Sequence, residues 1–121
     1  MALIFLADDD PAMRAFLSTA LTRAGHAVQA YDDGLSAFAA LQAAGDAPDL
    51  LLSDVVMPGM DGIELSQRAR ALFPSLKVLF VTGFSLAPSG SDADTPVLAK
   101  PLHLGQLIAQ VEALLSSKAR D

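Results

Sequence analysis

Four short stretches of the sequence carry side chains that could hold a metal ion or act on a phosphate group. Three consecutive aspartates, residues 8 to 10, follow one apolar run, and Asp54 follows another. Thr82 ends a third apolar run, and Lys100 comes directly after a fourth. Clustered carboxylates and backbone carbonyls are ligands that Mg²⁺ accepts in proteins. A carboxylate flanked by Mg²⁺, a hydroxyl and a lysine has what is needed to receive a phosphoryl group, whose charge lies on its three oxygens.

The hydrophobic pattern predicts that these side chains lie at the carboxyl ends of β-strands. Short apolar runs bounded by turn residues are typical of strands that are buried on both faces. The predicted strands are Leu3–Ala7, Ala27–Tyr31, Leu50–Ser53, Lys77–Thr82 and Val97–Ala99. Apolar residues recur at helical spacing in 11–24, 34–44, 63–72 and 104–115, with Asp10 as the cap of the first helix. Residues 83–96 contain Pro88, Gly90 and Pro96, which predicts a loop with at most a short helical turn.

The alternation of strands and helices predicts an α/β fold with three layers. A parallel five-stranded sheet between two helical layers, in the flavodoxin-like order 2-1-3-4-5, is the common solution for this pattern. In such sheets ligands bind at the carboxyl ends of the strands where the strand order reverses, here between the first and third strands. Asp8, Asp9 and Asp54 are therefore expected to converge, and a divalent cation would offset their mutual repulsion.

Each of these residues also has a purely structural interpretation. Asp54 alone could simply begin a turn, and the aspartates at 8–10 could favour the positive end of the first helix dipole. Thr82 could be an ordinary strand residue and Lys100 a surface lysine. The coincidence of all of them at predicted strand ends favours the functional interpretation. Apolar residues recur at helical spacing in the first helix, at Met13, Phe16, Leu17, Ala20, Leu21 and Ala24, and Leu104 lies on one face of the last helix with Leu107, Ile108, Val111, Leu114 and Leu115.

Composition excludes several classes of protein. The chain has 121 residues, of which 52% are hydrophobic, so we expect one globular domain rather than a disordered chain. A net charge of −6 with eight scattered basic residues argues against a nucleic-acid-binding surface. The absence of cysteine excludes disulfides, thiolate metal sites and a cysteine nucleophile. No signal peptide or membrane-spanning run is found, so a cytoplasmic location is expected. His26 and His103 have no predicted role.

The sequence resembles the receiver domains of two-component response regulators. The resemblance rests on ADDDPAMR (7–14), LSDVVMPGMDG (52–62), FVTG (80–83) and AKP (99–101), in the family's order. It covers residues 1–121 as a single receiver domain, with no effector domain. It implies that Asp54 accepts the phosphoryl group, and that Asp9, Asp54 and the Val56 carbonyl bind Mg²⁺ directly while Asp8 binds it through water.

The same resemblance implies roles for residues nearer the end of the chain. Thr82 would hydrogen-bond the phosphoryl group, and Lys100 would pair with it through a cis Lys100–Pro101 peptide. Val56 and Phe84 would flank the path of the hydrolytic water, and because both are apolar we expect slow autodephosphorylation. Val97 stands where many receivers carry a switching aromatic residue. The helix that normally precedes the fifth strand is expected to be shortened or missing. The partner would be a histidine kinase or histidine phosphotransferase that docks near the first helix.

Within the family, the sequence is most similar to the CpdR group of single-domain response regulators. That similarity implies an adaptor that, when unphosphorylated, primes the ClpXP protease, so a ClpX-type unfoldase is a further expected partner. A phosphorelay shuttle or phosphate sink is the first alternative. A Mg²⁺-dependent phosphohydrolase would need a general acid, which Val55, Val56, Met57 and Met60 do not offer, so we expect no enzyme activity beyond autodephosphorylation. A flavin binder is a weaker alternative still.

Overall fold

Five strands alternate with four helices in the computed structural model, which describes residues 2–82, 97–99 and 103–116. The strands are β1 (Leu3–Ala7), β2 (Ala27–Tyr31), β3 (Leu50–Asp54), β4 (Val78–Thr82) and β5 (Val97–Ala99). The helices are α1 (Pro11–Arg23), α2 (Gly34–Ala43), α3 (Gly62–Leu72) and α4 (Leu104–Ser116). The predicted elements are confirmed to within one residue at their ends. Among the described helices, none has the length and apolar character that a membrane span requires.

The sheet is parallel throughout, in the order β2-β1-β3-β4-β5, which confirms the predicted flavodoxin-like arrangement. β1 and β3 are neighbours, with Ala7 paired to Ser53. The strand order reverses at β1, because β2 lies on one side of it and β3 on the other. The carboxyl ends of β1 and β3 therefore meet at the position where ligands bind in sheets of this kind.

Two apolar layers cover the two faces of the sheet, as the wholly apolar strands require. Phe5, Leu51 and Phe80 point to one face and pack with α2 and α3. Leu6 and Leu52 point to the other face and pack with α1 and α4. All five residues of β3 are buried, so the strand that ends in Asp54 is held on both sides.

Phe16, Ala24 and Leu104 share the helical spacing of the core residues but are not buried. Phe16 is 40% exposed, Leu104 is 51% exposed, and Ala24 is also exposed. The buried face of α1 is narrower than the helical spacing suggests and is limited to Leu17, Ala20 and Leu21. The exposed side chains of Phe16 and Leu104 instead line a largely apolar groove of about 540 Å³ between α1 and α4. The expected loop at 83–96, with Phe84, lies outside the described residues.

Aspartates cap the first three helices. The side chain of Asp10 accepts from the N–H groups of Ala12 and Met13, as predicted for the start of α1. Asp33 accepts from the Ser36 N–H at 2.7 Å, and Asp61 from the Glu64 N–H at 2.8 Å. The hydrogen bond from the Ser36 backbone lowers the pKa of Asp33. These caps satisfy N–H groups that the helices leave without partners and fix where each helix begins.

Candidate functional site

Three aspartates meet at the carboxyl ends of β1 and β3. One carboxylate oxygen from each of Asp8, Asp9 and Asp54 lies within 4.8 Å of the other two. Asp8 is fully buried, Asp54 is 7% exposed, and Asp9 is exposed. The pairing of Ala7 with Ser53 causes this convergence, because it puts the next residue of each strand side by side. The cluster thus consists of two buried carboxylates and one that is exposed to solvent.

Asp8 makes hydrogen bonds that hold the turn in which it lies. Its N–H donates to the Tyr31 carbonyl oxygen at 3.1 Å, which continues the sheet by one residue. Its carboxylate accepts from the Asp10 N–H at 2.9 Å. Its carbonyl oxygen accepts from Nη1 of Arg14 at 2.8 Å. Sequence reasoning missed this role of Arg14, although the residue lies within the ADDDPAMR motif, one turn into the helix that follows the aspartates.

The backbone around Asp54 is also fixed on both sides. The hydroxyl of Ser53 donates to the Asp54 carbonyl oxygen at 2.8 Å, and the Val55 N–H donates to the Val81 carbonyl oxygen at 3.1 Å. The Val56 N–H donates to Oδ1 of Asp54 at 3.3 Å. Val56, the predicted main-chain ligand, is therefore held beside the carboxylate, while its own side chain is 55% exposed.

The backbone brings Thr82 to the same edge of the sheet. Asp54 pairs with Val81 across β3 and β4, so Thr82 lies one residue further toward this edge. Thr82 pairs in turn with Ala99, the last residue of β5. Lys100 follows Ala99 in the chain, but Lys100 and the Lys100–Pro101 peptide lie outside the described residues.

The donor set fits a hard divalent cation. Carboxylate oxygens and a main-chain carbonyl are ligands that Mg²⁺ prefers. Burial of two carboxylates as charged groups is costly unless a cation or hydrogen bonds compensate, and Asp8 and Asp54 are both buried. The neighbours of Asp54 in the following loop include Val55, Met57 and Met60, none of which can act as a general acid. The arrangement is suited to a carboxylate with a metal ion beside it.

Comparison with known proteins agrees with this geometry. The family described as response regulator receiver domain matches residues 4–112. The response regulator receiver protein CpdR of Brucella abortus is 47% identical over 120 residues, covering 95% of this chain and 98% of that protein. Two other matched relatives, the transcriptional regulator NtrC of Salmonella typhimurium and the response regulator MprA of Mycobacterium leprae, are longer, and the chain spans 25% and 53% of their lengths.

Solved structures agree as well. A response regulator receiver protein from Sinorhizobium medicae has a TM-score of 0.87 at 30% identity, with 96% of this chain and 95% of that chain covered. The response regulator TrrA from Thermotoga maritima, solved in complex with Mg²⁺ and BeF, has a TM-score of 0.85 at 25% identity. The match covers 94% of this chain and 99% of the TrrA chain.

Proposed function

The chain belongs to the response regulator receiver domain family, and from this premise we propose that Asp54 accepts a phosphoryl group from a phosphohistidine. In the transfer, the bond between phosphorus and the histidine nitrogen breaks as a bond forms between phosphorus and a carboxylate oxygen of Asp54. The observation that carries the proposal is the position of Asp54, a nearly buried carboxylate whose oxygen lies within 4.8 Å of oxygens of Asp8 and Asp9. The donor would be a histidine kinase or a histidine phosphotransferase.

The other site residues would bind the metal and the phosphoryl oxygens. Asp9, Asp54 and the Val56 carbonyl would hold Mg²⁺ directly, and Asp8 would do so through water. When bound, Mg²⁺ supplies positive charge to the transferring oxygens. Thr82 would donate a hydrogen bond to the phosphoryl group, and Lys100 would neutralise part of its charge. The response regulator TrrA, which has the same fold, was solved in complex with Mg²⁺ and BeF, and this supports the proposal of a Mg²⁺ site.

Hydrogen bonds already present would keep the acceptor in place during transfer. The bond from Arg14 to the Asp8 carbonyl and the bond from Ser53 to the Asp54 carbonyl restrain the backbone on both sides of the cluster. Preorganised ligands need little rearrangement as charge develops on the phosphoryl oxygens. The donor would dock near α1, where Phe16 is exposed beside the groove between α1 and α4.

A phosphotransfer assay tests the acceptor. Purified protein would be incubated with Mg²⁺ and a small phosphodonor such as phosphoramidate, and the mass gain of one phosphoryl group would be measured on the intact protein. The wild type should gain it, and Asp54→Asn should not. Asp46→Asn, at an exposed loop aspartate outside the cluster, is the matched control and should be phosphorylated normally. Equal phosphorylation of Asp54→Asn and wild type would refute the assignment.

For the output, we propose a stand-alone adaptor of the CpdR kind, acting in the cytoplasm, with a ClpX-type unfoldase as its partner. The 47% identity to CpdR over nearly the whole of both chains supports this choice. A relay shuttle or phosphate sink, with residues 1–121 acting only as a carrier, is the alternative. In both cases phosphorylation of Asp54 would control which proteins bind.

A paired pull-down separates the two outputs. One bait is Asp54→Ala, which cannot be phosphorylated, and the other is wild type loaded with Mg²⁺ and beryllofluoride, a mimic of the aspartyl phosphate. Recovery of an unfoldase or its substrates with the first bait alone supports the adaptor. Recovery of only a phosphotransfer protein with both baits supports the shuttle and contradicts the adaptor.

A further inference from the structure

Two helices begin with the same dipeptide, Asp33-Gly34 in α2 and Asp61-Gly62 in α3. The aspartates are explained because they cap the helices. The glycines are not explained by helix propensity, which is poor for glycine. Nor does backbone conformation explain them, because among the described glycines only Gly25 and Gly59 have positive φ. Both Gly34 and Gly62 are buried, so the space around them must be the reason.

Gly62 packs directly on the backbone of the proposed acceptor. A Cβ added at Gly62 would lie closer than 3.0 Å to the Asp54 carbonyl oxygen, and 3.0 Å from both Asp54 C and Val55 Cα. Real Cβ atoms essentially never approach other atoms closer than 3.0 Å. The Gly62 N–H also donates to the Val55 carbonyl oxygen at 2.8 Å. The first residue of α3 is thus in contact with the main chain on either side of the Asp54–Val55 peptide.

Gly34 packs on the far end of the same loop. We call residues 55–61, which join Asp54 to α3, the acceptor loop. A Cβ at Gly34 would lie closer than 3.0 Å to the Met60 carbonyl oxygen and 3.2 Å from Met60 C. By contrast, a Cβ at Gly45 or Gly105 would meet no atom within 4 Å. Gly34 and Gly62 therefore pack against the backbone of the acceptor loop, whereas Gly45 and Gly105 do not.

We propose that Gly34 and Gly62 are positioning residues for the phosphoryl-acceptor site, because they let two helix N-termini hold the acceptor loop between them. The proposal rests on the proposed function, in which Asp54 and the Val56 carbonyl are Mg²⁺ ligands. Ordinary contact begins near 3.4 Å, so an added methyl group would move the loop by several tenths of an ångström or more. The obstructing atoms are mostly backbone and cannot rotate away. Mg²⁺ tolerates such a shift poorly, because it demands near-ideal octahedral geometry at roughly 2.0–2.1 Å.

The test compares Gly62→Ala and Gly34→Ala with the matched controls Gly45→Ala and Gly105→Ala. The dissociation constant for Mg²⁺ would be measured by calorimetry on protein that urea unfolding shows to be fully folded. We expect about 10-fold or weaker Mg²⁺ binding in the two test variants and unchanged binding in the controls, which is the size of effect seen when supports of metal ligands are altered. NMR spectra without metal should show displaced amide signals for Val55 and Val56 in the test variants only.

The proposal would be overturned if the two test variants bound Mg²⁺ as tightly as the wild type and kept the wild-type amide signals of Val55 and Val56 without metal, while their unfolding midpoints in urea fell. The glycines would then serve packing alone. If either variant fails to fold, the wild type supplies the measurement. Mg²⁺ should then slow hydrogen exchange of the Gly62 N–H and leave that of Gly45 unchanged, and equal exchange rates with and without Mg²⁺ would contradict the proposal. If the wild type neither binds Mg²⁺ nor accepts phosphate, the proposed function fails, while the metal-free NMR comparison still tests the glycines.

Discussion

Replacement of Asp8 by Asn should stabilise the metal-free protein and weaken its response to Mg²⁺. Asn has nearly the same shape as Asp, so its side-chain oxygen can still accept from the Asp10 N–H, which donates to Oδ1 of Asp8 at 2.9 Å. The change therefore removes one negative charge from a cluster whose oxygens lie within 4.8 Å of one another. It leaves the hydrogen bond that shapes the turn.

The size of the effect follows from that distance. Two unit charges 4.8 Å apart repel by about 3 kcal/mol at an effective dielectric constant of about 20, and by about 1 kcal/mol in water. Asp54 is nearly buried and Asp9 is exposed, so the first value applies to the Asp8–Asp54 pair and the second to the Asp8–Asp9 pair. Compensating contacts reduce both, and we expect Asp8→Asn to raise the free energy of unfolding by about 1–3 kcal/mol without metal.

Mg²⁺ should narrow this difference in stability. A ligand present at about 100 times its dissociation constant stabilises the folded wild type by about 2.7 kcal/mol. If Asp8→Asn weakens Mg²⁺ binding tenfold, Mg²⁺ raises the free energy of unfolding of the variant by about 1.4 kcal/mol less than that of the wild type.

The assay is urea unfolding of wild type, Asp8→Asn and the control Asp46→Asn, with chelator and then with Mg²⁺. Added salt should reduce the metal-free difference by screening. An Asp8→Asn protein that is less stable than wild type in chelator, or that gains as much from Mg²⁺, would refute the reasoning.

Three further predictions concern phosphate lifetime, capping and burial. Val56→Asn should speed the loss of phosphate from Asp54, because an amide can orient the water that the apolar side chain cannot; an unchanged decay rate would show that explanation to be wrong. Asp33→Ala should destabilise the protein at neutral pH. Because the Ser36 N–H lowers the pKa of Asp33 below 3.8, the difference in free energy of unfolding between this variant and the wild type, measured by urea unfolding, should shrink as the pH falls below that value. Leu107→Ala, at a fully buried site, should cost about 2–5 kcal/mol, whereas Leu104→Ala, at a half-exposed site, should cost well under half as much by the same measurement.

Local sequence patterns were enough to predict the elements of this fold. The apolar run before Asp54 and the cap at Asp10 are signals that span only a few residues, and each predicts one element correctly. The parallel order of the strands followed from their alternation with helices, because few connections are physically possible. The convergence of Asp8, Asp9 and Asp54 was then a consequence of strand order.

The widths of the buried faces were harder to predict. Phe16 and Leu104 have the spacing of core residues, yet both are largely exposed. Helical periodicity gives the direction in which a side chain points. How much of each apolar face is buried depends on the packing of α1 against α4. A residue at the margin of an apolar face can therefore be buried or exposed with the same sequence pattern.

The sequence by itself determined the elements, the order of the strands and the aspartates that would meet at one edge, because these depend on periodicity, caps and chain connectivity. Only the tertiary structure decided other contacts between residues far apart in the chain, those that strand order does not imply. His26, which had no predicted role, is buried, accepts from the Ala2 N–H at 3.3 Å, and lies 2.9 Å from Oε2 of Glu112, which is 86 residues away. Similarly, the sequence pattern indicates only a turn at Gly62, whereas the structure places the Asp54 backbone directly against this residue. Such contacts have no local signal, because they arise only when the helices pack on the sheet.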